Sequence, residues 1–253
     1  MFKSKKLSKI KNIQHGFFNK IGGKSSGIYK SLNCGPGSKD KKNNIEKNLE
    51  IVRKKIGNNS KKIFLLHQIH SNKIIYLNNR KSLNRIRPKA DAVITDQTKI
   101  PIGILTADCV PILLCDKKRK MIAAIHAGWK GAYKDILDKV IKFMINKGCK
   151  HSDITAAIGP SISVKNYEVK YDFQEKFLKK SKLNQKFFKK KNSKIYFNLI
   201  KYVYSKLKNS KIKNIESLNI DTYDNKNNFF SARRSIRLNQ NDYGRNISII
   251  MIK

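Results

Sequence analysis

The sequence predicts an α/β sandwich built on mixed sheets, and three observations carry that expectation. Short apolar runs of strand length recur through the middle of the chain: ADAVITD (90–96), IPIGILTADC (100–109), VPILLCD (110–116) and MIAAIHA (121–127). The last two are apolar almost throughout, as strands buried on both faces are. One stretch, Gly131–Lys147, has clear helical periodicity. Strands and helices then follow one another without strict βαβ alternation, which argues against a doubly wound parallel sheet.

The elements read as follows. His15–Ser38 is dense in Gly and Ser and reads as a short strand, a glycine turn and a packed loop. Asn43–Ile56 has helical spacing through Ile45, Leu49, Val52 and Ile56. Lys62–Leu77 reads as two strands with a break at His67–Asn72. In Gly131–Lys147 the side chains of Tyr133, Ile136, Leu137, Val140, Ile141, Phe143 and Met144 make one broad apolar face, and Gly148 stops the helix. ITAAIGPSI (154–162) is a strand running into a Gly-Pro turn. Asp172–Lys180 and Tyr196–Leu207 read as lysine-covered surface helices, and NISIIMIK (246–253) as a closing strand. His151–Lys211 is either a helical subdomain or a long insertion; spacing does not separate the two.

Length and composition set the frame. The 253 residues, 40% of them hydrophobic, suffice for a sizeable core. The expected organisation is one domain, 1–253. Four cysteines show no CxxC spacing, which points to reduced thiols and a cytoplasmic location. No apolar run reaches the roughly 18–20 residues of a membrane span, and the basic start lacks the apolar middle of a secretory signal. The net charge is +39, from 56 Lys and Arg against 17 Asp and Glu. The lysines are spread along the whole chain between apolar positions, with no nucleic-acid-binding motif. That pattern fits a solvated surface with nonspecific polyanion adhesion better than a dedicated nucleic-acid role.

Chemistry concentrates at Ile102–Trp129, where Cys109 and His126 end two very apolar stretches. A thiolate and an imidazole at adjacent strand ends can bind a metal, or act as nucleophile and base. His70, at a turn before Ser71 and Asn72, completes a three-ligand set with Cys109 and His126. Three His and Cys ligands leave a fourth position for water, the pattern of catalytic zinc. Asp108 offers either a proton carrier or a turn cap. Five scattered histidines cannot build a several-copper oxidase centre.

Several blocks together are similar to the laccase-domain, or YfiH-like, family: HGFF and SLN near the start, HQIHS, ADAVITD, TADCVPILLCD, AAIHAGWKG, AAIGPSI with YEV, and FFSARRS with YGR at the end. The match is in order and covers nearly the full chain. The resemblance implies a fold like the catalytic domain of cytotoxic necrotizing factor toxins. It implies a zinc site on His70, Cys109 and His126, copper being chemically acceptable to the same donors. It also implies phosphorolysis of purine nucleosides (adenosine, inosine, methylthioadenosine) to base and ribose 1-phosphate, with adenosine deaminase activity. Arg233, Arg234 and Arg245 match the family's RR and GR positions, and arginine forks suit phosphate. Asn33 and Gln68 either line the pocket or hold loops, and Trp129 is either core or a stacking platform. Two departures stand out. Ser161 occupies a position where the family often has a second cysteine, and SIRLNQNDYGR is longer than the usual run after the arginine pair. Two other readings remain: a metal-free Cys–His amide hydrolase that edits cell-wall precursors, and a nonenzymatic nucleic-acid-associated protein.

Overall fold

The computed structural model describes residues 1–57, 59–79 and 87–253. The closing strand β13 (Asn246–Ile252) shows how its layers arise. Ile247, Ile249 and Met251 join one apolar cluster, and Ile250 and Ile252 join another. Period-two alternation sends these two sets to opposite faces, so the strand must be covered on both sides.

It lies inside a four-stranded sheet ordered β1 (Ile13–Phe17), β13, β5 (Ile102–Thr106), β2 (Phe64–Leu65). On one face of this sheet sits the helix α2 (Lys42–Ile56), through Val52 and Ile56. Against the other face packs a six-stranded sheet, ordered β12 (Asn214–Ser217), β8 (Ile154–Ile158), β6 (Val110–Asp116), β7 (Met121–Ala127), β4 (Ala92–Thr95), β3 (Ile74–Leu77). Leu113, Cys115, Ile122 and Ala124 fill the space between the sheets. Ile112, Leu114, Ala123 and Ile125 face the far side, where α4 (Ile136–Asn146) and α6 (Leu199–Asn209) cover them. The result is a helix–sheet–sheet–helix sandwich. Its sheets are mixed, as expected: β3 runs parallel to β4 and β12 to β8, while β4, β7, β6 and β8 pair antiparallel.

Three expectations need correction. The helix expected over Gly131–Lys147 is two: α3 (Trp129–Tyr133) and α4, separated by Asp135 in the left-handed region at φ 61°. The break lets the Asp135 carboxylate meet Lys180 and Lys206, each at 2.7 Å. One continuous apolar periodicity thus spans two helices, with Asp135 and its two lysine partners at the joint. Gly148, at φ 88°, ends α4 as its lack of a Cβ allows. The helix expected from Tyr196 starts later. Tyr196 and Phe197 belong to β11 (Lys194–Phe197), and α6 begins at Leu199, after Asn198, whose side chain accepts from Lys201 N.

Residues 151–211 are not a helical subdomain, since strands stand among their helices. They contain α5 (Tyr171–Lys180) and a small sheet ordered β10 (Phe188–Lys191), β11, β9 (Glu168–Val169). Their Phe177, Phe197, Tyr202 and Val203 share one core with β6, β7 and α4. A short helix that periodicity did not signal, α1 (Lys5–Ser8), is held by Glu216 of β12, which accepts from Ser4 Oγ, Lys5 N and Lys6 N. Among the described residues, no helix is long and apolar enough to cross a membrane.

Candidate metal centre

The β6–β7 hairpin sets the site. Its register pairs Val110 with Ala127 and Pro111 with His126. Cys109, just before β6, therefore lies across from Gly128, just after β7. His126 occupies the last-but-one position of β7 and is buried. The third residue, His70, arrives on the link between β2 and β3. Nitrogen and sulfur atoms of His70, Cys109 and His126 all lie within 4.8 Å of one another. Cys109 Sγ is 3.9 Å from His70 Nε2, and the two imidazole rings meet edge to face at 4.8 Å. No other group of three among the described His, Cys, Asp and Glu residues converges in this way.

Asp91, directly before β4 and fully buried, organises the trio. Its Oδ1 lies 2.8 Å from His126 Nδ1 and accepts from His70 N at 3.0 Å. Its Oδ2 accepts from Ser71 N and Ser71 Oγ at 2.6 and 2.7 Å. One carboxylate thus orients one histidine ring and clamps the loop that carries the other. That clamp holds His70 at φ 55°, a backbone conformation non-glycine residues seldom adopt. With Nδ1 directed at a carboxylate, His126 presents Nε2 to the cluster.

Charge follows the same geometry. Burial raises the Asp91 pKa, but hydrogen bonds from His126 and Ser71 outweigh it and hold the carboxyl at about 2. Burial would also raise the Cys109 thiol, yet the neighbouring His126 and His70 pull it well below its ordinary value. His126 moves up: burial opposes its charge, but Cys109 and Asp91 overcome that opposition. The thiolate so favoured is the form that ligates metals or attacks as a nucleophile.

The donor set fits a borderline metal such as zinc. Zinc at about 2.0–2.3 Å from tetrahedral N and S donors holds them roughly 3.3–3.6 Å apart, so the trio needs only a modest closing, available through the exposed His70. Gly128 keeps the space clear. A Cβ there would lie 3.0 Å from His70 Cδ2 and 3.1 Å from Cys109 Sγ.

The remaining expected residues fall in different places. Asp108 is buried and accepts from Thr222 Oγ1, Ser231 Oγ and Arg233 N. These bonds anchor the start of α7 (Ala232–Arg237) beside Cys109. Asn33 accepts from Gly35 N and Arg245 N and donates to Ser38 and Asp40. Gln68 exchanges two hydrogen bonds with the Leu105 main chain. Both amides are hydrogen-bonded to main chain. Arg234 donates to the carbonyls of Thr222, Tyr223 and Phe229, and Arg245 to Asp242 and the Tyr243 carbonyl. Arg233 is different. It donates to the Glu168 carbonyl and lies 5.3 Å over the Tyr167 ring. Trp129 packs against the core, edge to face with Phe173 at 5.0 Å. Ser161 is fully buried, and its hydroxyl has no hydrogen-bond partner.

Sequence reasoning passed over Asp91 and Tyr167. A signal for Asp91 did exist: metal-binding histidines usually donate their second nitrogen to a carboxylate, and Asp91 stands in ADAVITD, one of the blocks that carry the resemblance.

Fold and site together define a mixed α/β sandwich protein with a His–Cys–His cluster suited to one metal ion. Residues 14–253 match the family model described as multi-copper polyphenol oxidoreductase laccase, and the chain belongs to that family. It is 36% identical over 220 residues to a purine nucleoside phosphorylase of Rickettsia conorii, covering 84% of this chain and 89% of the relative. It is 32% identical to a purine nucleoside phosphorylase of Haemophilus influenzae, over 95% of this chain and 94% of that one. Among solved structures it resembles the Bacillus licheniformis protein YfiH (TM-score 0.86, 27% identity, 95% and 93% of the two chains). A Neisseria meningitidis protein is similar at TM-score 0.84 and 29% identity, covering 96% and 95%.

Proposed function

We propose that this protein is a zinc-dependent purine nucleoside phosphorylase that also deaminates adenosine. The observation that carries the reading is the convergence of His70, Cys109 and His126 on one point, in a chain whose relatives bear the phosphorylase name. These three residues would hold zinc, which when bound supplies a Lewis acid and activates water. Copper would suit the same donors, and loading experiments decide between the two.

In phosphorolysis a phosphate oxygen bonds to ribose C1′, the C1′–N9 bond breaks, and the departing base takes up a proton. Arg233 is the arginine we assign to phosphate. It lies beside Tyr167 and the Asp108 anchor and spends one guanidinium bond, on the Glu168 carbonyl, whereas Arg234 makes three to carbonyls and Arg245 bonds Asp242 and the Tyr243 carbonyl. Asp91 keeps His126 in one orientation, and Gly128 leaves room beside the trio. Incubation of the zinc-loaded protein with adenosine and phosphate should release adenine and ribose 1-phosphate. Without phosphate it should release inosine and ammonia alone. Finding neither base nor inosine would remove this reading.

One arrangement favours a second reading. Cys109, His126 and Asp91 stand in the order nucleophile, base and orienting carboxylate. In a metal-free cysteine hydrolase, Cys109 would give its proton to His126 and bond to an amide carbonyl, such as that of a cell-wall precursor; the C–N bond would break as His126 returns the proton to the leaving amine, and water would hydrolyse the thioester. Covalent trapping of Cys109 in a metal-free, active sample supports this reading, and stoichiometric zinc in the active protein excludes it.

A further inference from the structure

A cavity of about 440 Å³ lies between the glycine-rich segment 20–31 and α7 with the turn that follows it. That volume is within the roughly 300–1,000 Å³ of small-molecule sites. None of the trio lines it. Its far wall includes Ser235, Leu238 and Gln240, all from SIRLNQNDYGR, the run that departs from the family pattern and that the catalytic reading leaves unused.

Its chemistry is two-sided. Phe230 is buried in the wall, while Ile21, Ile28 and Leu238 are exposed around it. These three are among the few large apolar side chains exposed anywhere in the described residues, and they meet at one place. The charged lining residues are Lys20, Lys30 and Arg234, and no acid is among them. Arg234 already donates to three carbonyls, so it adds positive charge but few donors. Lys20 is half-buried, and burial together with Arg234 lowers its pKa. Among the described residues its ammonium donates to the neutral Asn225 amide oxygen, at 3.3 Å. Asp224, next in the chain, turns its carboxylate to Lys226 N instead. Three cations around one cavity, Lys20 close enough to Arg234 to feel its charge and no acid in the lining, beside an apolar wall, are what an amphipathic anion would complete.

We propose that this cavity is a second ligand site, for a phosphate monoester carrying an apolar or aromatic body. Lys20 and Lys30 take the phosphate, and Phe230, Ile28 and Leu238 take the body. The site touches the metal centre through one element: Ser231 lines the cavity and donates to Asp108, the neighbour of Cys109.

The test is calorimetric titration of the intact protein at about 0.15 M salt, where long-range attraction is screened. Phenyl phosphate should bind saturably at one site, and inorganic phosphate should bind roughly tenfold more weakly or worse, since it lacks the buried apolar surface. The double variant Lys20→Ala/Lys30→Ala should lose about tenfold in affinity, as loss of charge-assisted bonds does. Leu238→Glu, at an exposed position, should abolish binding without threatening the fold. His70→Ala should leave phenyl phosphate binding unchanged. So should Lys189→Ala/Lys190→Ala, which removes two exposed charges from β10, outside the cavity lining. Adenosine 5′-monophosphate serves as a parallel arm: tighter binding than phenyl phosphate identifies a nucleotide, and weaker binding a simpler aryl or alkyl phosphate. The proposal is overturned if no probe saturates, or if inorganic phosphate equals phenyl phosphate. It is equally overturned if binding follows His70 or the β10 lysines instead of Lys20 and Lys30.

Discussion

Asp91 does more at this site than any residue the sequence singled out, because two of the three clustered side chains depend on one carboxylate. Replacing it with Asn keeps the shape but weakens the acceptor for His126 and the 69–71 loop. Zinc affinity of Asp91→Asn should fall by about 10–100-fold, measured by competition with a chelating dye, while the circular dichroism spectrum stays that of the parent. An unchanged affinity would mean the trio is oriented by something else. Gly128→Ala offers a steric test. Its Cβ would lie inside normal contact distance of both His70 and Cys109, so metal affinity should drop while the hairpin still forms. Metal removal should read out as stability. A ligand at about 100 times its Kd adds about 2.7 kcal/mol, so chelation should lower the melting temperature of the parent and leave Cys109→Ala unmoved.

At the scale of elements, β1 and α1 carry an acid-sensitive contact. His15 is buried and accepts from Ser4 N at 2.9 Å through Nε2. Burial first, then Lys3, lowers its pKa from 6.5 to about 4. Between those two values the unfolded chain binds the proton that the folded chain refuses. Stability from this group is therefore complete above about pH 6.5 and declines as pH falls toward 4. His15→Gln, which keeps an acceptor and cannot titrate, should lose less stability between pH 7 and pH 5 than the parent in urea denaturation. Equal losses would assign the acid sensitivity to other groups. The break between α3 and α4 belongs to this scale as well. Helical spacing ran unbroken through Tyr133–Met144, yet the chain turns at Asp135, where Lys180 and Lys206, distant in sequence, meet its carboxylate.

For the whole molecule, the +39 charge governs how the protein meets polyanions. Spread along the chain between apolar strands that carry none of it, it should give nonspecific binding to a short single-stranded DNA. That binding should weaken by on the order of 10³-fold between about 0.05 and 0.2 M salt, as counterion release requires. Fluorescence anisotropy across that range checks it, and tight binding that survives at the higher salt would restore a dedicated nucleic-acid role. The same scale explains why residues 151–211 defeated sequence reading. Their aromatic residues look like the core of a separate unit, but Phe177, Phe197 and Tyr202 pack onto β6 and β7, far earlier in the chain.

The chain's own pattern determined the mixed sandwich and its buried central strands, because periodicity is a property of short segments, and it offered His70, Cys109 and His126 as a candidate set that the family resemblance then singled out. Tertiary structure alone decided how those ligands are held, which arginines serve the backbone, and where a second cavity opens. Asp91 reaches His126 across 35 positions, and Asp108 reaches Ser231 across 123. A hydrogen bond formed over such separations is set by how sheets stack, and no local spacing encodes it.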